Sequence, residues 1–183
     1  MPIRSFADYN TIFPLAEDRA DRMMDAGLYN RFGVNEEQRR EHAVLGCIGE
    51  FAFQQILDFR HIPYSVDREI DRVRHSDRFD FLIGEKKIDI KVAKTTYKPK
   101  DEWTFGYPEQ QIQMIKDYII IGWVNPNNGY MAFYGWMPFQ HISSYPVVTV
   151  NSFAGYRYYT PNHEFPWGDL NQNFNELFGI LLQ

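Results

Sequence analysis

The stretch Asp80-Phe-Leu-Ile-Gly-Glu-Lys-Lys-Ile-Asp89-Ile-Lys91 holds two carboxylates and an amine at a spacing that can do chemistry. Two apolar-interleaved runs, Phe79 to Ile83 and Lys86 to Val92, flank Gly84-Glu85. A two-residue loop with Gly first suits a type II′ hairpin turn, because Gly tolerates positive φ. Ile83 then faces Lys86, and counting back sets Asp80 opposite Asp89. Directly paired side chains share a face, with Cβ atoms roughly 5 Å apart, and Lys91 falls on that face by period-2 alternation. The other face, with Phe79, Phe81, Ile83, Ile88, Ile90 and Val92, reads as core. Two carboxylates that close stay ionised together only with a cation between them or with a raised pKa. A hard divalent ion, Mg²⁺ or Mn²⁺, fits oxygen ligands at this spacing, with the Ile90 carbonyl as a further ligand. Lys91 would then lie beside the metal-bound water, able to orient it, lower its pKa or offset charge on a reacting phosphate. The plainer alternative is a cross-strand acid pair relieved by Lys86, Lys87 and Lys91 on an exposed sheet. The apolar strands around the pair argue against it.

The hairpin needs a partner to cover its apolar face. Asn35-Glu-Glu-Gln38 has the capping-box pattern, and the helix it opens is expected to run to about Asp58. Glycine inside a helix costs about 1 kcal/mol against alanine, so Gly46 and Gly49, three apart, point to close approach of another element. Gly46, Glu50 and Gln54 share one stripe by the i, i+4 rule. A glutamate among Gly46, Gly49, Ile48, Phe51 and Phe53 is expected to be partly buried and to need a partner. A metal or the sheet lysine would serve. The alternative leaves Glu50 at the solvent edge.

Together, Glu50 on a helix, Asp80, and Asp89-Ile-Lys91 on the next strand resemble the PD-(D/E)XK nuclease superfamily, which has the restriction-endonuclease-like fold. The resemblance covers roughly residues 35 to 137 and rests on order and spacing. Phe79 stands where the family pattern has a proline, one that is often missing in its members. Asp71 and Asp77 are weaker candidates for the first acid, since neither falls opposite Asp89. The resemblance implies an α/β fold, an αβββαβ core with a mixed central sheet flanked by helices. Tyr64 to Ile70 would be its first strand, Glu109 to about Lys116 a short helix after Pro108, and Tyr118 to Val124 a buried strand. Asn125 to Gly129 would be a turn and Met131 to Trp136 the return strand. It further implies Mg²⁺-dependent hydrolysis of DNA, with Asp80 and Asp89 as metal ligands. Lys91 would position the attacking water, and Glu50 would hold a metal-bound water or a second ion. Gln110, Gln111 or Gln113 would correspond to a glutamine that some members place near nucleic acid. A restriction, repair or recombination role, often as a homodimer, and a bacterial or phage-encoded protein in the cytoplasm are what the resemblance suggests.

Composition bounds the rest. The 183 residues suffice for one sizeable core, and 17% are aromatic. No run approaches a transmembrane span, and the first residues lack a signal-peptide core, so no membrane partner is expected. The single cysteine, Cys47, excludes an internal disulfide and reads as buried. His42, His61, His75, His141 and His163 have no paired ligand spacing, which argues against zinc. A net charge of −5 counts against a plain nucleic-acid-binding module. Lys86, Lys87, Lys91, Lys94, Lys98 and Lys100 nevertheless cluster around the proposed strand. Lys94, Lys98 and Lys100 are the expected phosphate contacts; the competing reading is a lysine-protected edge strand.

The chain is read as one domain. Residues 1 to 33 form an N-terminal extension with a helix from about Leu15 to Tyr29 and Asp18, Asp21 and Asp25 outside. Residues 35 to 137 form the core. Residues 146 to 183 contribute strands Val147 to Val150 and Tyr156 to Thr160 and a helix from Asn171 to Leu182. The run Phe153 to Thr160 could stack on bases, or its tyrosines could serve in the core or an interface. A non-catalytic nucleic-acid- or protein-binding domain of the same fold is the alternative function, and an RNA-directed nuclease a third.

Overall fold

The computed structural model describes residues 7–27, 35–66 and 79–183. The first helix, α1 (Tyr9–Asp25), starts where the Asp8 side chain accepts from the Asn10 amide. That is earlier than the expected Leu15, and it ends before Tyr29. Its buried stripe, Ile12, Ala16, Ala20 and Met23, has the spacing of one helix face. Asp18, Asp21 and Asp25 are exposed, as expected. The second helix, α2 (Glu36–Phe59), opens on the expected capping box, with Asn35 and Gln38 each accepting from the other's amide.

Four strands make the central sheet, in the order β1 (Phe81–Ile83), β2 (Lys86–Lys94), β4 (Tyr118–Asn125), β5 (Tyr130–Pro138). The β1–β2 and β4–β5 pairs are antiparallel and β2–β4 is parallel, so the sheet is mixed. Gly84 turns the hairpin at φ +58°, and Ile83 pairs with Lys86 as counted. Of the expected first strand, Ser65 exchanges two backbone hydrogen bonds with Leu82, at 2.9 and 2.8 Å. Residues 67–70 lie outside the described part, as do Asp71 and Asp77.

The crossover from β2 to β4 departs from expectation. Instead of a helix from Glu109 to Lys116, the chain forms strand β3 (Thr104–Pro108) and a 3₁₀ turn at Glu109–Gln111. Eight residues make a marginal helix without an apolar face to bury, and Ile115 here faces solvent. Alternation in Thr104-Phe-Gly-Tyr107 pulls the segment into a second sheet, ordered β3, β7 (Arg157–Pro166), β6 (Val147–Val150), all antiparallel. β6 has its expected bounds. β7 extends six residues beyond the expected Thr160, to Pro166, and the closing helix α3 contracts to Phe174–Leu181. Of the expected core, the described residues thus show the helix, the hairpin and the β4–β5 strands; its first strand is seen only as the Ser65 bridge, and its second helix is replaced by a strand.

Two cores share the central sheet. On one face Ile88, Ile90, Ile120 and Phe133 meet α1, α2 and α3, around Phe53, whose ring contacts Phe81, Phe133 and Phe178. On the other, Ile119, Ile121 and Tyr134 meet Tyr107, Phe165 and Trp167 of the second-sheet layer. Asp89 and Lys91 pair with Ile119 and Ile121 and share their alternation, so they face the second sheet. Gly49 sets the distance between α2 and β2. A Cβ there would fall 2.3 Å from Val92 Cγ2 and 3.1 Å from Ile90 Cγ2. We expect Gly49→Leu to destabilise by about 1–3 kcal/mol, as overpacking does, read as a lower midpoint in urea. An unchanged midpoint would show that α2 does not rest on β2 here.

Candidate functional site

The site forms where β2 outruns its neighbour. β1 covers only Lys86 to Ile88 of the nine-residue β2. The regular ladder ends at Phe81↔Ile88, and Asp80 takes over with its side chain. Its amide donates to the Ile88 carbonyl at 3.0 Å, and its Oδ2 accepts from the Ile90 amide at 2.6 Å. Asp80 therefore straddles Asp89 instead of continuing the ladder opposite it. Both acids line a cleft of about 800 Å³ between α2, β2 and the second sheet, together with Glu50, Lys91 and Ile90.

The charges are balanced within the fold. Asp89 is 3% exposed. Lys91 Nζ lies 2.7 Å from its Oδ2, and Lys116 Nζ lies 3.6 Å from its Oδ1. Glu50 is buried and meets Arg19 of α1, Nη1 to Oε2 at 2.5 Å. Arg19 answers the expectation that Glu50 needs a partner, a role assigned in the sequence to a metal or Lys91. Burial, followed by repulsion from Asp89 and Glu50, pushes the Asp80 carboxyl up to about 7, against the pull of Lys91 and the Ile90 amide. Burial draws the Lys91 ammonium down, but Asp89, Asp80 and Glu50 outweigh it and hold its pKa above the ordinary lysine value. Tyr107, whose ring centroid is 5.6 Å from Lys91 Nζ, is kept a neutral phenol by burial and by Asp89 and Asp80.

Arg19, Lys116 and Tyr107 were missed in the sequence. Arg19 had a signal, since it interrupts the α1 stripe between Ala16, Ala20 and Met23. Lys116 had none, because its place depends on β4 lying parallel to β2. Its side chain is only 3% exposed. Among the expected phosphate contacts, Lys94 lines the cleft and pairs with Glu41 of α2. Lys98 and Lys100 are exposed beyond it, and Lys100 lies 4.0 Å from Glu102. Lys86 and Lys87 sit at the hairpin end of β2. Gln111 lines the cleft, whereas Gln110 and Gln113 line a separate hollow with His163 and Ser143. Cys47 is buried, as expected.

Among the described residues no three His, Cys, Asp or Glu side chains come together as a metal-binding group. The acid pair by itself suits Mg²⁺, which keeps several waters and uses one or two carboxylates. Asp89 Oδ2 is fully buried and makes no hydrogen bond of good geometry despite the nearby ammonium, and Asp80 is partly protonated near neutral pH. Both are states that a cation between the two acids would relieve. No helix among the described residues is long and apolar enough to cross a membrane. No family model, curated protein or solved structure matches this chain.

A pH dependence follows. Because the native pKa of Asp80 lies above its ordinary 3.8, the folded state holds its proton more tightly than the unfolded state. That contribution is lost as pH rises from about 4 through 7, at about 1.4 kcal/mol per unit of pKa difference. In chelator at pH 8, Asp80→Asn should melt roughly 10 °C above the wild type, since the amide oxygen still accepts from Ile90. The gap should close at pH 4. Equal melting at both pH values would place Asp80 in water.

Proposed function

We propose that this chain is a Mg²⁺-dependent nuclease of the restriction-endonuclease-like kind, hydrolysing phosphodiester bonds of DNA. The observation that carries this is the Asp80–Asp89 pair, half-buried and buried in turn, where β1 stops short along β2, with Lys91 against it and open to a nucleotide-sized cleft. The order of α2, hairpin and β4 supports the family reading. The strand-built crossover departs from it, and the comparisons add nothing to either side.

Asp80 and Asp89 would hold the ion, with the edge carbonyl of Ile90 beside them. Bound Mg²⁺ supplies charge for the phosphate and lowers the pKa of the attacking water. The Lys91 ammonium, paired with Asp89 in the free site, would turn to donate hydrogen bonds to the water and the phosphate oxygens. Lys116 would stay beside Asp89 and fix its rotamer. Glu50, oriented by Arg19, accepts from water at the α2 side of the site. Cutting both strands of a duplex would take two copies, and a homodimer is the assembly this reading favours.

One observation favours a second reading, a binding domain without catalysis. Arg19, Lys91 and Lys116 offset the site's three acids with no metal. The deciding experiment is cleavage of plasmid and single-stranded DNA with and without Mg²⁺. Cleavage is expected only with the metal, and Asp89→Asn and Lys91→Ala should each lower the rate by about 10²-fold or more. DNA binding should persist in Lys91→Ala. Intact DNA after long incubation in Mg²⁺ and in Mn²⁺ would leave the binding domain. RNA competing fully for cleavage would move the substrate to RNA.

A further inference from the structure

The wall of the cleft opposite the acid pair is aromatic. Trp103, Phe105, Phe153, Tyr156 and Tyr158 line it from the second sheet and its loops. Phe153 and Tyr156 remain 52% and 54% exposed, at the tip of the turn between β6 and β7. Exposed rings that line one cleft with other aromatics form the kind of apolar surface that marks a binding site.

The turn is rigidly built. Asn151, buried at its base, accepts from the Ala154 amide at 2.6 Å and donates to Thr104 Oγ1 at 2.9 Å and to the Tyr158 hydroxyl at 2.7 Å. The buried Glu164 carboxylate accepts from the Ser152 amide at 3.1 Å, from the Ser152 hydroxyl and from Tyr158 at 2.8 Å. Main-chain bonds Asn151–Tyr156 and Gly155–Asn151 close the turn, with Gly155 at φ +73°. The Tyr158 ring lies flat against Gly106, where any Cβ would fall 2.7 Å from it. Trp103 backs Phe153, with ring centroids 5.7 Å apart, and Tyr158 backs Tyr156 at 5.2 Å. A buried carboxylate, a buried amide and a glycine are thus spent on holding two rings in water, which is preorganisation for a flat partner.

We infer that the cleft binds an unpaired nucleic-acid strand, with bases stacked on Phe153 and Tyr156. The inference names the substrate class of the site proposed above and rests on that reading for the place of the phosphate. Size agrees, since about 800 Å³ lies in the small-ligand range and takes about one or two nucleotides, leaving a rigid duplex at the rim. Charge agrees as well. The lysines lining the cleft are Lys91, Lys94 and Lys116, each within ion-pair distance of a carboxylate. Affinity must then come mainly from stacking, which is sequence-tolerant, and not from counterion release.

The test is anisotropy of short labelled oligothymidylate, oligouridylate and a duplex of equal length, in chelator so that nothing is cut. Unpaired strands should bind at least about 10-fold tighter than the duplex. Phe153→Ala and Tyr156→Ala should each weaken them about 10-fold, with melting temperature unchanged and Tyr130→Ala, an exposed aromatic away from the cleft, binding as wild type. Preference for oligouridylate would keep the stacking and assign the backbone to RNA. Duplex binding as tight as the single strands, or unchanged binding in both alanine variants, would overturn the inference. Duplex cleavage in Mg²⁺ without single-strand preference would overturn it and leave the nuclease reading standing. Single-strand binding with no cleavage in Mg²⁺ would support the stacking surface and remove the nuclease.

Discussion

Everything at this site depends on the cost of burying carboxylates beside one another. Asp80, Asp89 and Glu50 face one cleft, where repulsion is strong and solvent screening weak. The fold answers with proton and cation together. Asp80 titrates near neutrality, and Asp89 and Glu50 are met by lysine and arginine. Breaking a buried pair on one side costs about 3–5 kcal/mol, so Arg19 cannot be a decorative surface charge. It ties α1 to α2 directly behind the cleft.

The edge of β2 that no described strand pairs beyond Ile88 is the second consequence. A long strand beside a short one leaves unpaired main-chain groups that invite association. Here the edge is spent on the site. The Asp80 carboxylate accepts the Ile90 amide that a longer β1 would have paired, so the residue that ends the strand also becomes the acid. Gly49 lets α2 close on the opposite face of the same strand. Strand, helix and acid pair are fixed by each other.

The second sheet changes the character of the protein. A helical crossover would have left the acid face open. The crossover through β3 instead brings a three-stranded layer across from the acids and turns a sheet surface into a cleft with one ionic and one aromatic wall. Pro108, Tyr107 and Phe105 commit the chain to that course.

Local signals wrote the hairpin, its Gly84 turn, the capping box of α2 and the apolar face of the sheet into the sequence. Each rests on interactions within a few residues, where periodicity and φ preference decide. They were enough to bring Asp80, Asp89 and Lys91 together and to aim Glu50 at them. The sequence could not say that Lys116 and Arg19 complete the charge balance, that Gln110 and Gln113 turn away, or that Glu109 to Lys116 stays out of a helix. Those outcomes depend on which distant segments pack together, and a parallel β2–β4 pairing or a β3–β7 ladder carries no local signature. The pKa of Asp80 belongs to the same class. Its spacing to Asp89 was legible, but the burial that sets its proton affinity arises only when α2 and the second sheet close over the edge.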